Sequence, residues 1–376
     1  MDSPRKILIL HASAGHGHEK AAKAVEEAYH VFFPQIEVTV IDALSLTPSF
    51  FGGGYKKSYL FLIQKLPWLW GIFYYFFDLA FVHALVKPIR RIVNQLAAQD
   101  METLVLRLRP QAIICTHFLP VEVVSALKAK NKTDAYLVVA ITDFKAHRFW
   151  LGEAVDCYAV PSVETRDQMV GCGVSAEKIE VTGIPVGQNF TRRTGREKLR
   201  GELGLQKDKF TVLVTSGGAG VGSICQMVRG LAQIKPPLQT LVVCGTNKSI
   251  RLRLESEFHG VSTVRLFGFV DFMDKLMEAS DVLMGKGGGL TVSESLCKGT
   301  PMVVFEPVPG QETANAFYIQ RHGAGVIAEN WREAVRETQG ISKNAAALAR
   351  LKEAVASIAK PGAARQVTEL AERGRE

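Results

Sequence analysis

Residues 6–22 read KILILHASAGHGHEKAA, and the fold follows from how this stretch is parsed. KILIL is a short continuous apolar run, which suits a strand buried on both faces of a sheet. SAGHGH is a glycine-rich turn in which the backbone can bend sharply and approach a ligand closely. From Glu19 to Phe32, the residues Ala21, Ala22, Val25, Ala28, Tyr29 and Phe32 recur at helical spacing. Strand, glycine turn and helix in that order open a βαβ unit. The helix turns its free N–H groups and positive dipole end toward the glycines. The same order returns at 210–223, FTVLVTSGGAGVGS.

Working outward, IEVTVID (36–42), AIICTH (112–117), YLVVAITD (136–143) and CYAVPS (157–162) read as further strands of the first series. LVVCG (241–245), TVRLFGF (263–269), DVLMG (281–285) and PMVVFE (301–306) belong to the second. Helical patterns lie between them, the signature of parallel sheets covered on both sides. The fold class is therefore α/β, with two Rossmann-like domains in tandem facing a central cleft, because open parallel sheets bind ligands beyond the carboxyl ends of their strands. Residues 1–187 form the N-terminal domain, 188–209 a linker rich in Arg, Lys, Gly and Thr, and 210–342 the second domain. Residues 343–376 read as one helix and a charged tail.

A length of 376 residues fits two or three domains, and 47% hydrophobic with 22% charged residues excludes disordered and low-complexity classes. Lys plus Arg is 45 against 37 Asp plus Glu, a net +8 spread along the chain. That mild excess does not mark a nucleic-acid partner; it suits an anionic membrane surface or a phosphorylated substrate. The six cysteines form no CxxC pair and read as small buried hydrophobes. The N-terminal apolar run is a first strand and not a signal peptide.

Residues 50–86 depart from the alternating pattern as an aromatic insertion. Residues 50–81 hold 13 of the chain's 32 aromatics, behind a glycine triplet and Lys56–Lys57. The longest uncharged run there, Leu66–Phe77, is twelve residues and contains Pro67, shorter than the roughly 20 needed to span a bilayer. Trp and Tyr favour the headgroup level of a membrane, so Lys56, Lys57, Trp68, Trp70 and Phe73 are candidate membrane contacts. The alternative is that these rings fill an ordinary core between helices, and the exposure of Trp68, Leu69, Trp70 and Phe73 separates the two.

Three glycine-rich segments carry the candidate chemistry. In SAGHGHEKAA (13–22), Lys20 stands where GxGxxG needs its third glycine, so dinucleotide binding is disfavoured. His16 and His18 lack a ligand cluster for a metal, and a histidine in such a turn is better read as a polar or catalytic group. TSGGAGVGS (215–223) suits a phosphate or sugar nucleotide, and it is not a Walker loop, since no GxxxxGK[ST] occurs. GKGGGLTVSESLCKGTPMVVFEPVPGQETANA (285–316) is the most informative. Gly287–Gly289 open a helix whose N–H groups, with Thr291 and Ser293, can cradle a diphosphate, at about 0.3–1 kcal/mol per charge–dipole contact. Glu294, one turn on, can accept two ribose hydroxyls, and Gln311–Glu312 offer donors and acceptors for a hexose. The plainer reading makes these acids solvated or capping groups.

On these residues the chain resembles family 28 glycosyltransferases, which share the GT-B fold. It is similar in particular to the branch of monogalactosyldiacylglycerol synthases and processive diacylglycerol glucosyltransferases. PVPGQETANA (307–316) is the most specific match; HASAGHGHEKAA (11–22), AITDFKAHRFWLGEAVDCYAVPS (140–162) and VTGIPVGQNF (181–190) also resemble the branch. The resemblance implies an inverting transfer of a hexose from UDP-glucose or UDP-galactose to a lipid, diacylglycerol above all. It implies His18 or Asp143 as base and Gly217, Gly218, Phe269, Gly288, Gly289, Thr291, Glu294, Gln311 and Glu312 as donor-binding positions. It places Gly17, His147 and Trp150 on the acceptor side. No metal or cofactor is expected, and no DxD motif is present. The expected location is the cytoplasm, peripheral on the cytoplasmic face of the membrane. Two departures stand out: Gly287 follows Lys286 where the family commonly has Pro or Ala, and Val-Gly-Gln follows Pro185 where Arg-Pro is common. A nucleotide-sugar 2-epimerase and a non-catalytic nucleotide-sugar or membrane sensor are the competing readings, with an NAD-dependent oxidoreductase behind them.

Overall fold

The computed structural model describes residues 5–13, 15–48, 58, 61–62, 65–86, 88, 99–215 and 223–374. Contacts divide the chain into two units. One comprises Met1–Gln188, Pro309–Gln311 and Lys360–Glu376; the other comprises Asn189–Val308 and Glu312–Ala359.

The first unit holds β1 (Lys6–His11), β2 (Glu37–Asp42), β3 (Ala112–Cys115), β4 (Tyr136–Ala140), β5 (Cys157–Val160) and β6 (Ile179–Val181). They form one parallel sheet in the order β2-β1-β3-β4-β5-β6. Alternation along β1 divides the core. Ile7 and Ile9 pack with Ala22, Val25 and Tyr29 on one face, and Leu8 and Leu10 pack with Ile113, Leu137 and Val139 on the other. Chain order reverses between β1 and β3, so the carboxyl ends of these two strands frame the switch point where such sheets bind ligands.

The second unit holds β7 (Thr211–Thr215), β8 (Gln239–Val243), β9 (Val264–Phe267), β10 (Val282–Gly285), β11 (Met302–Phe305) and β12 (Gly325–Ala328). Its parallel sheet runs β12-β11-β10-β7-β8-β9, and its switch point lies between β7 and β10. The sequence does not announce β6 or β12. Both are edge strands of three or four residues: β6 is interrupted by exposed Glu180, and the apolar run GVIA of β12 is too short to stand out.

Residues 343–376 differ from the expected single helix and tail. Helix Ala345–Ile358 ends before Lys360-Pro361-Gly362, and a second helix, Ala363–Arg373, follows. Pro361 cannot continue the first helix. The supposed tail instead buries Val367, Leu370 and Ala371 against the Ile7–Ile9 face of the first sheet. Roughly 1.5–3 kcal/mol per large apolar side chain accounts for its docking there. Residues 188–209, expected as a plain linker, contain the short helices Gln188–Thr191 and Arg196–Glu202. The second of these is held to the second unit: Arg200 and Arg196 both donate to Asp281, and Glu278 accepts the N–H groups of Thr194 and Gly195 at 2.9 and 2.7 Å.

Within the aromatic insertion, Pro67 opens helix Pro67–Asp78, where its missing N–H costs nothing. Gly71 and Tyr74 are buried, while Trp68 (61% exposed), Ile72 (56%), Tyr75, Phe76 and Leu79 stand in solvent at spacings of three and four. Leu69 and Trp70 are half-buried, and Phe73 is exposed. The rings therefore divide by face, and one face is an exposed apolar row of a kind that is rare unless it binds something. No single described helix is long and apolar enough to cross a membrane. Pro67–Asp78 and Ala80–Val86 reach the length and composition only as a pair bent by 86°. Lys56 and Lys57 lie outside the described residues.

Candidate active site

In the first unit the glycine turn does what its sequence suggests. Gly15, in extended conformation, caps helix His16–Phe32, placing Gly17 and His18 in its first turn beside the end of β3. Thr116, just beyond β3, clamps His18 twice. Its carbonyl lies 2.8 Å from His18 Nδ1, and its hydroxyl donates to the His18 carbonyl at 2.9 Å. A carbonyl only accepts, so Nδ1 carries the proton and the lone pair sits on Nε2. Thr142, after β4, brings its hydroxyl within 3.0 Å of the same Nδ1. Asp143 is the next residue, half-buried.

Aromatic groups close around the imidazole. His117 meets it edge-on at 4.6 Å between centroids, and Trp150 lies at 6.2 Å. Burial pushes the His18 pKa down from 6.5 to about 4; the Thr116 hydrogen bond opposes the shift and His11 reinforces it. Burial likewise drives His117 well below its ordinary value and lowers His11. The imidazole is thus neutral at physiological pH with a fixed tautomer, the state of a general base before proton transfer.

His147 is placed differently. Its Nε2 donates to the Tyr74 carbonyl at 3.0 Å and its Nδ1 accepts the Phe149 N–H at 3.1 Å. Both ring nitrogens are occupied by backbone, so His147 joins loop 143–150 to the aromatic helix and has no lone pair to offer an acceptor. Trp150 is buried against Phe118 and His117 and forms a wall of the His18 site.

In the second unit, β10 ends at Gly285 and helix Gly289–Lys298 begins with Gly288 as its cap. Gly288, Gly289 and Thr291 therefore stand at the β7–β10 switch point, and Glu294 is buried one turn on. Buried Asn315 donates to the Gly287 carbonyl at 2.8 Å and pins the loop. A Cβ on Gly287 would lie 2.6 Å from the Glu312 carbonyl oxygen, which accounts for a glycine at this position. Gly287→Ala is expected to destabilise the second unit by about 1–3 kcal/mol, since no rotamer relieves a clash with backbone. Urea unfolding at wild-type midpoint would contradict the contact.

Glu312 accepts the Val308 N–H at 2.8 Å, and burial raises its pKa against that bond and nearby Lys286. One carboxylate oxygen is thus spent on closing the PVPGQE turn. Gln311 begins helix Gln311–Arg321. Phe269, beyond the end of β9, exposes 64% of its surface, leaving a ring face open for stacking. Gly217 and Gly218 lie outside the described residues. Among the described residues no group of three or more His, Cys, Asp or Glu is placed to hold a metal ion.

Sequence reasoning passed over Thr116, His117, Thr142, Asn315 and Glu306. Glu306 follows β11 with φ of 44°, a strained backbone for a non-glycine residue, and accepts from the Ser223 hydroxyl at 2.7 Å. Four of the five sit just past the carboxyl end of a central strand. That position alone marks them in a parallel sheet.

Two parallel sheets, each with a glycine turn opening a helix at its switch point, make up the GT-B fold. Residues 18–186 match the monogalactosyldiacylglycerol (MGDG) synthase family, and residues 211–372 match the glycosyltransferase family 28 C-terminal domain. A processive diacylglycerol beta-glucosyltransferase of Bacillus cereus is 30% identical over 358 residues, covering 95% of this chain and 90% of the relative. One from Bacillus cytotoxicus is 28% identical over 367 residues, covering 97% and 92%. The chain belongs to the family 28 glycosyltransferases, in the branch that holds these diacylglycerol glycosyltransferases.

Solved structures agree on the fold. MurG of Acinetobacter baumannii superposes with a TM-score of 0.63 at 15% identity, covering 98% of this chain and 100% of that one. Anabaena Alr3699/HepE, solved with UDP-glucose, gives 0.57 at 15% identity, covering 98% and 99%. A UDP-GlcNAc 2-epimerase from Neisseria meningitidis also gives 0.63, at 13% identity, covering 98% and 100%. Fold alone thus does not separate transfer from epimerisation; the family matches do.

Proposed function

We propose that this chain is an inverting glycosyltransferase that moves a hexose from UDP-glucose or UDP-galactose to diacylglycerol at an anionic membrane surface, peripheral on the cytoplasmic face. The observation that carries the reading is that one family match takes in His18 and the strand ends around it, and the other takes in the switch-point glycine turn of the second unit. The MGDG synthase match begins at His18 itself, and the family 28 match spans the Gly287–Thr291 helix start.

The roles divide between the units. In the second, the N–H groups and dipole of helix Gly289–Lys298, with Thr291, hold the diphosphate and take up the charge of departing UDP. Gly217 and Gly218 contribute backbone donors, Glu294 accepts the ribose hydroxyls, and Phe269 stacks on the uracil. Gln311 and the remaining oxygen of Glu312 face the hexose. In the first, Gly17 and Trp150 border the acceptor hydroxyl. As its oxygen attacks the anomeric carbon, the bond from that carbon to the phosphate oxygen breaks with inversion, and the proton passes to His18 Nε2. Asp143 is the alternative base, or a partner for the imidazolium as it forms. The residues do this without a cofactor. Lys56, Lys57, Trp68 and Phe73, with the exposed Ile72, Tyr75 and Phe76, seat the aromatic insertion on the headgroups, and the half-buried Trp70 packs behind them against Tyr74.

Lipid extraction after incubation with diacylglycerol vesicles and each donor separately tests the reading. A diacylglycerol carrying hexose in the β configuration from one donor is expected. The UDP-linked 2-epimer of the donor in the aqueous phase, with no lipid product, would favour the epimerase.

A further inference from the structure

The last turn of the exposed aromatic helix is fastened to the wall of the His18 site, and the fastening centres on a residue that neither the donor site nor the acceptor site uses. Asp78 Oδ1 accepts the Arg148 N–H at 3.0 Å, the Asp78 carbonyl accepts Arg148 Nε at 2.9 Å, and Lys145 Nζ lies 3.4 Å from Oδ2. One turn earlier, His147 holds the Tyr74 carbonyl, and Lys145 sits over the Tyr75 ring at 5.6 Å. Phe77 and Phe149 add a ring contact at 6.1 Å.

The loop on the other side of this joint is itself rigidly held. Gln168 bonds both the N–H and the carbonyl of Ala146, at 3.0 and 2.7 Å, and Thr165 donates to the Phe144 carbonyl at 2.8 Å. Both ends of the loop reach His18: Thr142 through its hydroxyl at 3.0 Å, Trp150 through its ring at 6.2 Å. The helix therefore has one face, Trp68, Ile72 and Phe76, in solvent, while its last turn is locked to the loop that frames the imidazole.

We propose that Asp78 is a positioning residue that sets the angle of the exposed aromatic helix against the His18 site, so that an acceptor held in a lipid surface arrives in register with the imidazole. The proposal rests on the reading that this helix meets the membrane. It separates two properties that the family reading leaves joined. Adsorption belongs to the exposed apolar row, and delivery belongs to the joint at Asp78. A displacement of about 1 Å at a reacting centre can cost up to 10²-fold in rate. A loosened joint should therefore harm transfer to a surface-bound lipid and spare an acceptor that reaches the site from solution.

The test compares wild type, Asp78→Ala and Asp78→Asn on two acceptors: dioleoylglycerol in phosphatidylglycerol-containing vesicles, and dihexanoylglycerol dispersed as monomers. Flotation with the same vesicles is measured alongside. For Asp78→Ala, flotation should stay within about twofold of wild type, kcat on vesicles should fall roughly tenfold, and turnover of the soluble acceptor should be unchanged within about twofold. Asp78→Asn, which keeps an acceptor for the Arg148 N–H, should recover most of the vesicle rate. Arg148→Ala, which removes the bond to the Asp78 carbonyl and leaves the carboxylate in place, should shift the vesicle rate in the same direction and serves if Asp78→Ala does not fold. Equal losses on both acceptors, or no loss on vesicles, would overturn the proposal. Wild-type protein that neither floats nor glycosylates the vesicle lipid would instead overturn the membrane reading beneath it.

Discussion

Replacing His18 with alanine is expected to lower turnover by about 10²–10⁴-fold with little change in donor KM. The size of the loss follows from the role of base proposed for the side chain. Thr116 fixes the tautomer through Nδ1, and Thr142, His117 and Trp150 surround the ring, so a single lone pair on Nε2 is left for chemistry. Alanine removes the lone pair and keeps the helix start. The pH profile adds a second, sharper expectation. Burial holds the His18 pKa near 4, so the neutral, proton-accepting form predominates from about pH 5 upward. The acid limb of kcat/KM due to His18 should have its midpoint near pH 4 and not near 6.5. An Ala variant with wild-type turnover would pass the role of base to Asp143.

The same shift bears on stability, with a definite sign. The folded pKa lies below the unfolded one, so as pH falls below 6.5 the unfolded chain takes up protons that folded His18 refuses. The first unit should lose stability progressively between pH 6.5 and 4. His117 and His11, lowered for the same reason, act in the same direction.

The second large effect is expected at Asp281, at the amino end of β10, opposite the strand end that leads to Gly288. Its Oδ2 accepts the Arg200 guanidinium at 2.8 Å and the Thr211 N–H at 2.9 Å, while Oδ1 accepts from Arg196 and faces Lys352 at 3.4 Å. One carboxylate thus serves three cations, and Arg200 is only 4% exposed. Burial above all, with the neighbouring Arg196, lowers the pKa of Lys352, and Asp281 opposes that shift. Asp281→Ala would leave a buried guanidinium, still bonded to backbone carbonyls, without its counter-charge, and a strand N–H without its acceptor. The expected cost is about 3–5 kcal/mol. Asp281→Asn keeps an acceptor and should cost less. Urea unfolding followed in the second unit measures both; a loss under about 1 kcal/mol for the alanine variant would mean that water replaces the carboxylate.

Much of this was legible in the sequence, and the misses have physical causes. KILIL and LVVCG announce buried parallel strands because both faces are covered and the runs are wholly apolar. Short edge strands such as Ile179–Val181 carry no such run. Ala363–Arg373 escaped because a narrow stripe of Val367, Leu370 and Ala371 is outnumbered by charges, and only a partner surface makes it a core element. Arg196 and Arg200 read as linker composition, yet their weight comes from Asp281, some 80 residues on, a pairing that no local pattern contains. His18 was visible in its turn. Thr116 and Thr142, which decide its tautomer and surroundings, were not, because their importance lies in where β3 and β4 end and not in their residue type. His147 shows the converse: a motif histidine whose ring nitrogens are both committed to backbone.

The most direct test of the proposed activity is UDP release by the purified chain, with UDP-glucose and UDP-galactose offered separately, in mixed micelles with and without diacylglycerol. Release that depends on diacylglycerol and occurs with one of the two donors is expected. Equal release with and without the lipid, or binding of a donor with no release in its presence, would contradict diacylglycerol as the acceptor.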